Sequence, residues 1–160
     1  MAIEIVLGYD RPEDVRALFT EYTDLIIAND EGFREYLALQ HFDEEILHLE
    51  AKYGLPGGRL DLMYVDGALA GCIALRKLDE ENCEMKRLYV RPQFRGAGLG
   101  YLLAEDMIDY AREVGYRYML LDTFPFLEAA IRIYRNLGFY EIEQYNDNPM
   151  ANSVYLKLDL

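Results

Sequence analysis

The stretch MKRLYVRPQFRGAGLGYLLAEDM, from Met85 to Met107, constrains the fold more than any other part of the chain. An apolar run of β-forming residues ends at Pro92, and a turn with three glycines follows. A helical pattern then begins at about Leu99 and ends at Gly115. Further on, RYMLLDT is nearly all apolar, which is typical of a strand covered on both faces. The order strand, helix, strand predicts a parallel crossover.

The remaining patterns predict one α/β domain that spans residues 1–160 and contains a mixed sheet. Two β-rich runs flank Asp66-Gly67, which is the sequence of a tight hairpin turn. A single helix is expected between Phe33 and about Tyr53, because Gly32 and the GLPGG segment bound the helical spacing. The predicted order is β-α-α-β-β-β-α-β-α-β-β. Its parallel crossover consists of strand 83–91, helix 99–114 and strand 117–122.

The bulk composition excludes several classes of protein. The formal net charge of −13 argues against nucleic acid or an anionic membrane as the main partner. No apolar run approaches the ~18 residues of a membrane span, and the first residues lack the pattern of a signal peptide. Cys72 and Cys83 are not spaced as CxxC. They are expected to be reduced, buried thiols in a cytoplasmic protein.

The charge is unevenly distributed along the chain. Residues 86–95 contain four cations and no acid. A basic spot on an acidic protein suggests one anionic ligand bound locally. Residues 21–50 instead contain nine acids, with Arg34 as the only strong base, which favours a cationic second ligand or a solvated helix face. The four cations are Lys86, Arg87, Arg91 and Arg95.

The glycine-rich turn QFRGAGLG allows three interpretations. A P-loop is excluded because no Lys-Ser or Lys-Thr follows the glycines. A dinucleotide fingerprint, GxGxxG, would need a third glycine at the position of Tyr101, so the spacing is wrong by one residue. Asp122 nevertheless ends the next strand about where a ribose-binding acid would lie. The third is a diphosphate cradle, in which glycines let the backbone approach the anion and the start of a helix attracts it. Arg91 and Arg95 would supplement that cradle.

At these residues the chain resembles the GNAT superfamily of N-acetyltransferases. Residues 93–98, QFRGAG, match its Q/R-x-x-G-x-G/A signature, with LYVRP before it and YRNLGF after it at the family's spacing. The resemblance covers nearly the whole chain. It implies a mixed, mostly antiparallel seven-stranded sheet flanked by about four helices. It also implies acetyl-CoA as the acyl donor, and a reaction that needs no metal.

The resemblance also implies which residues hold the cofactor. Backbone N–H groups of the turn would bind the pyrophosphate, and main-chain groups of the preceding strand, splayed from its parallel neighbour, would bind the pantetheine arm. Asn136 either contacts the cofactor or is simply a polar residue at a helix end. Leu127 departs from the family pattern, because many members carry Asn there. The remaining implied cofactor residues are Leu88, Tyr89, Val90, Arg95, Gly96, Ala97, Gly98, Leu99 and Gly100.

Two residues are candidates for catalysis. Tyr134 matches the tyrosine that often protonates the CoA sulfur in this family, and is otherwise a core or cofactor-stacking side chain. Glu84 stands where related enzymes often have a glutamate facing the acceptor. A carboxylate is ordinarily a weak base for an ammonium, so burial or a water relay would have to assist. Glu84 is otherwise an ion-pair partner. Strand alternation places Glu84, Lys86 and Leu88 on one face, and Cys83, Met85 and Arg87 on the other.

The resemblance therefore implies transfer of an acetyl group to a primary amine by direct attack in a ternary complex. The acids between Pro12 and Tyr53 favour a small cationic acceptor, with a protein N terminus or lysine as the alternative. A CoA-binding regulatory or interaction module on the same fold is the alternative function. His41 and His48 lack metal-site spacing, so a surface or lid role is expected. The sequence is also compatible with a homodimer.

Overall fold

The computed structural model describes residues 1–39 and 41–160 and places a seven-stranded sheet at its centre. The strand order across the sheet is β1-β2-β3-β4-β5-β7-β6. The strands are β1 (Ile3–Leu7), β2 (Arg59–Val65), β3 (Ala68–Lys77), β4 (Asn82–Val90), β5 (Tyr118–Thr123), β6 (Tyr140–Ile142) and β7 (Val154–Asp159). The helices are α1 (Pro12–Asn29), α2 (Phe33–Leu39), α3 (Phe42–Leu47), α4 (Leu49–Tyr53), α5 (Leu99–Val114) and α6 (Glu128–Asn136), with a 3-10 turn at Pro92–Phe94.

Only the β4–β5 pair is parallel among the strand pairs of the described residues, and α5 connects its two strands. The predicted mixed, mostly antiparallel sheet and its single crossover are therefore confirmed, with bounds within one residue of those expected. Among the helices described, none is both long and apolar enough to cross a membrane.

The prediction of one helix between residues 33 and 53 is wrong. The segment forms α2, α3 and α4, so the described chain has six helices rather than about four. His41 has a left-handed φ of 56° and His48 a φ of −134°, and neither conformation continues an α-helix. The breaks let one segment reach two places, because Phe33 packs against Phe124 while Tyr53 packs against Phe19. A straight helix of that length would instead extend roughly 30 Å in one direction.

The sheet buries both of its faces, which explains why its central strands are nearly all apolar. One face packs under α5 and α6, with Ile73 and Met119 among its fully buried side chains. The other packs under α1 and α4, where Leu18 and Leu62 are fully buried. The helix–strand–helix layers hold β4 rigidly in the middle of the molecule.

A β-bulge in β4 changes which side chains share a face. Ala74 of β3 pairs with Lys86, but Cys72 pairs with Tyr89, so β4 carries one extra residue. Arg87 takes that position with a left-handed φ of 61°. The predicted alternation holds through Lys86 and is wrong for Arg87 and Leu88. Arg87 contacts aromatic rings on the α1 side, whereas Leu88 joins Met85 on the α5 side.

The parallel strands β4 and β5 separate along their length. Their pairing runs from Asn82 opposite Tyr118 to Glu84 opposite Leu120 and then stops. Beyond that point β5 continues to pair with β7, and β4 with β3. The strands therefore splay, as the family resemblance implies, and the opening faces the glycine-rich turn.

Candidate active site

A cleft of about 380 Å³ opens where β4 and β5 separate. Its walls come from α1, the end of β4, the glycine-rich turn with the start of α5, and the start of α6. Ala97 and Asn136 are not among the lining residues; both are exposed, and Asn136 is the last residue of α6. Their cofactor contacts stay predictions. The predicted cofactor residues that do line the cleft are Leu88, Tyr89, Val90, Arg95, Gly96, Gly98, Leu99 and Gly100.

The turn is built to present backbone N–H groups. Gly96 and Gly98 have φ values of 92° and 75°, a left-handed conformation that favours glycine, and Gly98 is the N-cap of α5. The Leu102 N–H bonds back to the Gly98 carbonyl. The three preceding N–H groups therefore have no intrahelical acceptor, and the helix dipole adds positive potential there. No acid lies in the first turn of α5. The arrangement suits a diphosphate.

Only one of the four clustered cations lines this cleft. The Arg95 Nε donates a hydrogen bond to the Val90 carbonyl at 2.9 Å, which holds the guanidinium over the end of β4. Arg91 instead pairs with Glu21 through two hydrogen bonds of 2.8 and 3.2 Å. The expected contribution of Arg91 to an anion site is therefore neutralised by α1. Main-chain groups and Arg95 provide the positive potential at the turn.

Arg87 belongs to a buried ion cluster under α3. Its Nε and Nη2 each lie 3.1 Å from one carboxylate oxygen of Glu45. Lys52 donates to Glu45 Oε1 at 2.6 Å. Burial opposes ionisation of Glu45, but Arg87 and Lys52 outweigh it and lower the pKa of that carboxyl from 4.5 to about 2. This cluster fixes the bulge of β4 against the helical layer.

A second, smaller pocket of about 30 Å³ adjoins the cleft. Tyr22, Leu88 and Tyr134 line both cavities, so the two meet at these side chains. The remaining walls of the small pocket come from α2, β4, β5 and the residue directly after β5. They are Phe33, Tyr36, Met85, Lys86, Arg87, Asp122 and Phe124.

Tyr134 therefore lies where a cofactor in the cleft would meet a molecule in the small pocket. It projects from α6, is 6% exposed, and packs against the Phe139 ring at 5.6 Å. Burial, together with nearby Tyr22 and Asp122, raises the pKa of its phenol. The hydroxyl is accordingly protonated at neutral pH, which is the form that a proton donor needs.

Glu84 lies elsewhere in this arrangement. It is 3% exposed on β4 and lines neither the cleft nor the small pocket. The Tyr145 hydroxyl donates to its Oε2 at 2.6 Å. Its Oε1 is 3.7 Å from Arg76 Nη1 and 3.9 Å from Lys86 Nζ. The ion-pair alternative thus has observed partners, and the role of Glu84 as a base stays a prediction.

The carboxylate that does line the small pocket is Asp122, at the end of β5. Its Oδ2 accepts hydrogen bonds from Asn146 and Asn148, each at 3.0 Å, and from the Tyr36 hydroxyl at 3.4 Å. Sequence reasoning considered Asp122 only as a ribose-binding acid. Its position, at the end of the strand that splays from β4, was the available signal.

The acids of residues 21–50 do not surround these cavities. None of the nine lines the cleft or the small pocket. Glu44 and Glu45 border a different, open cavity of about 490 Å³, together with His41 and His48. Within residues 1–39 and 41–160, no group of three or more His, Cys, Asp or Glu side chains is arranged to hold a metal ion.

The comparison with known proteins agrees with this geometry. The model of the acetyltransferase (GNAT) family matches residues 16–139. The chain belongs to this family. An uncharacterized N-acetyltransferase of Schizosaccharomyces pombe is 37% identical over 150 residues, covering 92% of this chain and 88% of the relative.

Solved structures of GNAT proteins share the fold. An acetyltransferase from Streptococcus agalactiae superimposes with a TM-score of 0.79 at 22% identity, covering 99% of this chain and 98% of that one. The PaiA N-acetyltransferase from Thermoplasma acidophilum, in complex with coenzyme A, gives a TM-score of 0.76 at 17% identity over the full length of both chains. This GNAT protein is thus an acetyl-CoA-dependent N-acetyltransferase, and its glycine-rich cleft fits the diphosphate of that co-substrate.

Proposed function

We propose that this GNAT enzyme transfers the acetyl group of acetyl-CoA to the primary amine of a small molecule, by direct attack in a ternary complex. The observation that carries the proposal is the junction of two cavities at Tyr134. One cavity suits the cofactor, and the other, which opens into it, suits the amine end of an acceptor. Both substrates can then be present together, and attack becomes effectively unimolecular.

The residues that would hold acetyl-CoA are those of the cleft. The N–H groups at the start of α5 and the Arg95 guanidinium face the diphosphate, and the end of β4 from Leu88 to Val90 offers main-chain groups to the pantetheine arm. When bound, acetyl-CoA supplies an activated acyl group as a thioester. A main-chain N–H of this strand segment would stabilise the oxyanion that forms during attack.

Tyr134 would donate a proton to the departing thiolate. The phenol has a raised pKa and stands at the junction of the cavities. A free thiol has a pKa of about 8.5, below that of a phenol, so this transfer depends on the tyrosine lying close to the sulfur as it leaves and not on the pKa difference.

Two carboxylates are candidates to take the proton from the attacking amine. Glu84 remains the sequence-based candidate and would act through water, because it lines neither cavity. Asp122 lines the small pocket directly. Replacing each by its amide separates them, since loss of the base lowers kcat by roughly 10²- to 10⁴-fold.

The size of the small pocket limits it to the reacting end of an acceptor, whose remainder would extend into the adjoining cleft. About 30 Å³ accommodates roughly two water-sized groups. A cationic acceptor would find Asp122 as the acid of this pocket. The acids of residues 21–50 offer only long-range attraction, because they line other surfaces.

The test is acetyl-CoA-dependent thiol release across a panel of polyamines, aminoglycosides, amino acids and short peptides. We expect one class of small amine to raise release well above the rate of acetyl-CoA hydrolysis alone. Acetyl-CoA binding with no acceptor-dependent release from any member would support the CoA-binding module instead. Stimulation by peptides alone would assign a protein acceptor.

A further inference from the structure

Lys86 is a buried cation without a close partner. Its side chain is 8% exposed and lines the small pocket next to the cofactor cleft. The nearest anionic atom is Glu84 Oε1 at 3.9 Å, beyond hydrogen-bond distance. Within the part of the chain that the structure describes, Lys86 donates no hydrogen bond. Burial lowers its pKa, an effect that Glu84 partly opposes.

Glu84, the other member of this ion pair, also lacks a hydrogen-bond partner from the described residues at one carboxylate oxygen. Glu84 Oε1 is buried and has no hydrogen-bond partner, whereas Oε2 receives the Tyr145 hydroxyl. Lys86 is therefore not held by a tight salt bridge. Arg87, the next residue along β4, differs because it contacts both carboxylate oxygens of Glu45. A buried ammonium without hydrogen bonds is costly, and an arriving anion would supply the missing acceptor.

Asp122 brings the opposite charge to the same pocket. Three donors from α2 and the segment after β6 hold its Oδ2. Tyr22, Phe33 and Phe124 line the pocket as well. The pocket thus presents one fixed carboxylate and two cations, and of the cations Arg87 is already bound to Glu45 at two points whereas Lys86 is not. In a site this buried, charged contacts discriminate strongly between ligands.

Such a pair suits an acceptor that carries both charges over a few bonds. Polyamines would meet repulsion from Lys86. An internal lysine of a protein and the N terminus of a peptide both lack a carboxylate close to their amine. We infer that the acceptor is a small amino acid or a close analogue, with Lys86 binding its carboxylate and Asp122 orienting its amine toward Tyr134. This inference rests on the proposed acetyl transfer and narrows its substrate.

The test compares matched acceptors that differ only in the carboxylate. Each of several small amino acids is assayed beside its amide and its decarboxylated amine, with alanine, alaninamide and ethylamine as one set. We expect kcat/KM for the amino acid to exceed that of both analogues by roughly 10- to 100-fold, the range for a hydrogen bond to a charged group. The ratio is measured on the unmodified enzyme, so it does not depend on any variant folding.

Variants of Lys86 then test whether this residue causes the preference for an acceptor with a carboxylate. Lys86→Met should bring the ratio of amino acid to amide close to one, and Lys86→Arg should restore part of it. Lys77→Met is the matched control, because Lys77 is exposed and pairs with Glu80 away from the pocket. It should leave the ratio unchanged.

The outcomes separate the inference from the proposed function. If amides or simple amines are acetylated as well as amino acids, the inference is wrong and the acetyltransferase proposal stands. If the ratio persists in Lys86→Met, another residue reads the carboxylate and the role of Lys86 is overturned. If no amine stimulates thiol release although acetyl-CoA binds, the proposed function and the inference fall together.

Discussion

The cofactor cleft and the small acceptor pocket share three side chains but are built differently. The cleft depends on a continuous turn and helix start, whose glycines and main-chain N–H groups are the proposed ligands of the diphosphate. The pocket depends on single side chains from α1, α2, β4, β5 and α6. Local sequence therefore encodes the first, whereas only the tertiary fold assembles the second.

Their electrostatics differ as well. At the cleft, charge is contributed by an exposed Arg95 and a helix terminus. Around the pocket, the Lys86 and Arg87 side chains are buried, and each lies beside a buried glutamate. Removing a charge is thus expected to cost far more near the pocket than at the turn.

Replacement of Tyr134 tests the junction itself and should have the largest effect. Tyr134→Phe removes the proton donor and keeps the packing against Phe139, so kcat should fall by roughly 10²- to 10⁴-fold while acetyl-CoA affinity changes little. Steady-state thiol release and calorimetric cofactor binding measure the two. Tyr101→Phe, an exposed tyrosine of the same cleft, is the control and should retain kcat. Equal kcat in both variants would exclude Tyr134 as the donor.

Arg87→Met should strongly destabilise the protein, because Arg87 belongs to the buried ion cluster beside the small pocket. It leaves the Glu45 carboxylate buried beside Lys52 alone, so the free energy of unfolding should fall by roughly 3–5 kcal/mol. Arg112→Met, which breaks an exposed pair with Asp109, should cost below about 1 kcal/mol. Denaturant titration of both variants measures the difference. Similar losses of unfolding free energy in the two variants would show that burial of the Arg87–Glu45 pair contributes little to stability.

Acid should weaken the same cluster in a defined pH range. The folded pKa of Glu45 is lowered from 4.5 to about 2, so its contribution is complete above pH 4.5 and is lost as the pH falls toward 2. The loss should be on the order of 3 kcal/mol. Unfolding at a series of pH values should show a shallower slope for Glu45→Gln. The exposed neighbour Glu44→Gln is the control, and a slope common to both variants would contradict the assignment.

Replacing a glycine of the turn tests the cleft separately from the pocket, and it should have the smallest effect of these variants. Gly98→Ala forces a side chain into a left-handed position, which costs roughly 1–2 kcal/mol, and should raise KM for acetyl-CoA about 10-fold. Gly67→Ala introduces the same strain at φ 82° in the β2–β3 turn, far from the cleft. It should lower stability without changing KM. A similar increase of KM for acetyl-CoA in Gly67→Ala would show that the change follows from a general loss of stability and not from damage to the diphosphate cradle.

This contrast explains what could be predicted from sequence. The crossover and the glycine-rich turn at the start of α5 were predictable because consecutive residues, from Asn82 to Thr123, specify them. The face of Arg87 was not, because the extra residue in β4 becomes visible only through its pairing with Cys72 and Ala74. The breaks at His41 and His48 were missed for a related reason, since helical spacing continues across them.

The acceptor pocket shows the limit most clearly. Asp122 and Lys86 lie 36 positions apart in the chain and meet only because β4 and β5 are neighbours in the sheet. Glu84 was chosen by motif position, and its contacts with Tyr145 and Arg76 depend on segments that no local pattern connects to it.

The bulge at Arg87 divides β4 into two stretches with separate tasks. Before it, Met85 and Lys86 line the small pocket; after it, the strand runs along the cofactor cleft. A substitution at Lys86 can therefore alter the small pocket while the stretch of β4 along the cleft stays unchanged. One extra residue thus makes donor binding and acceptor choice separable within a single strand.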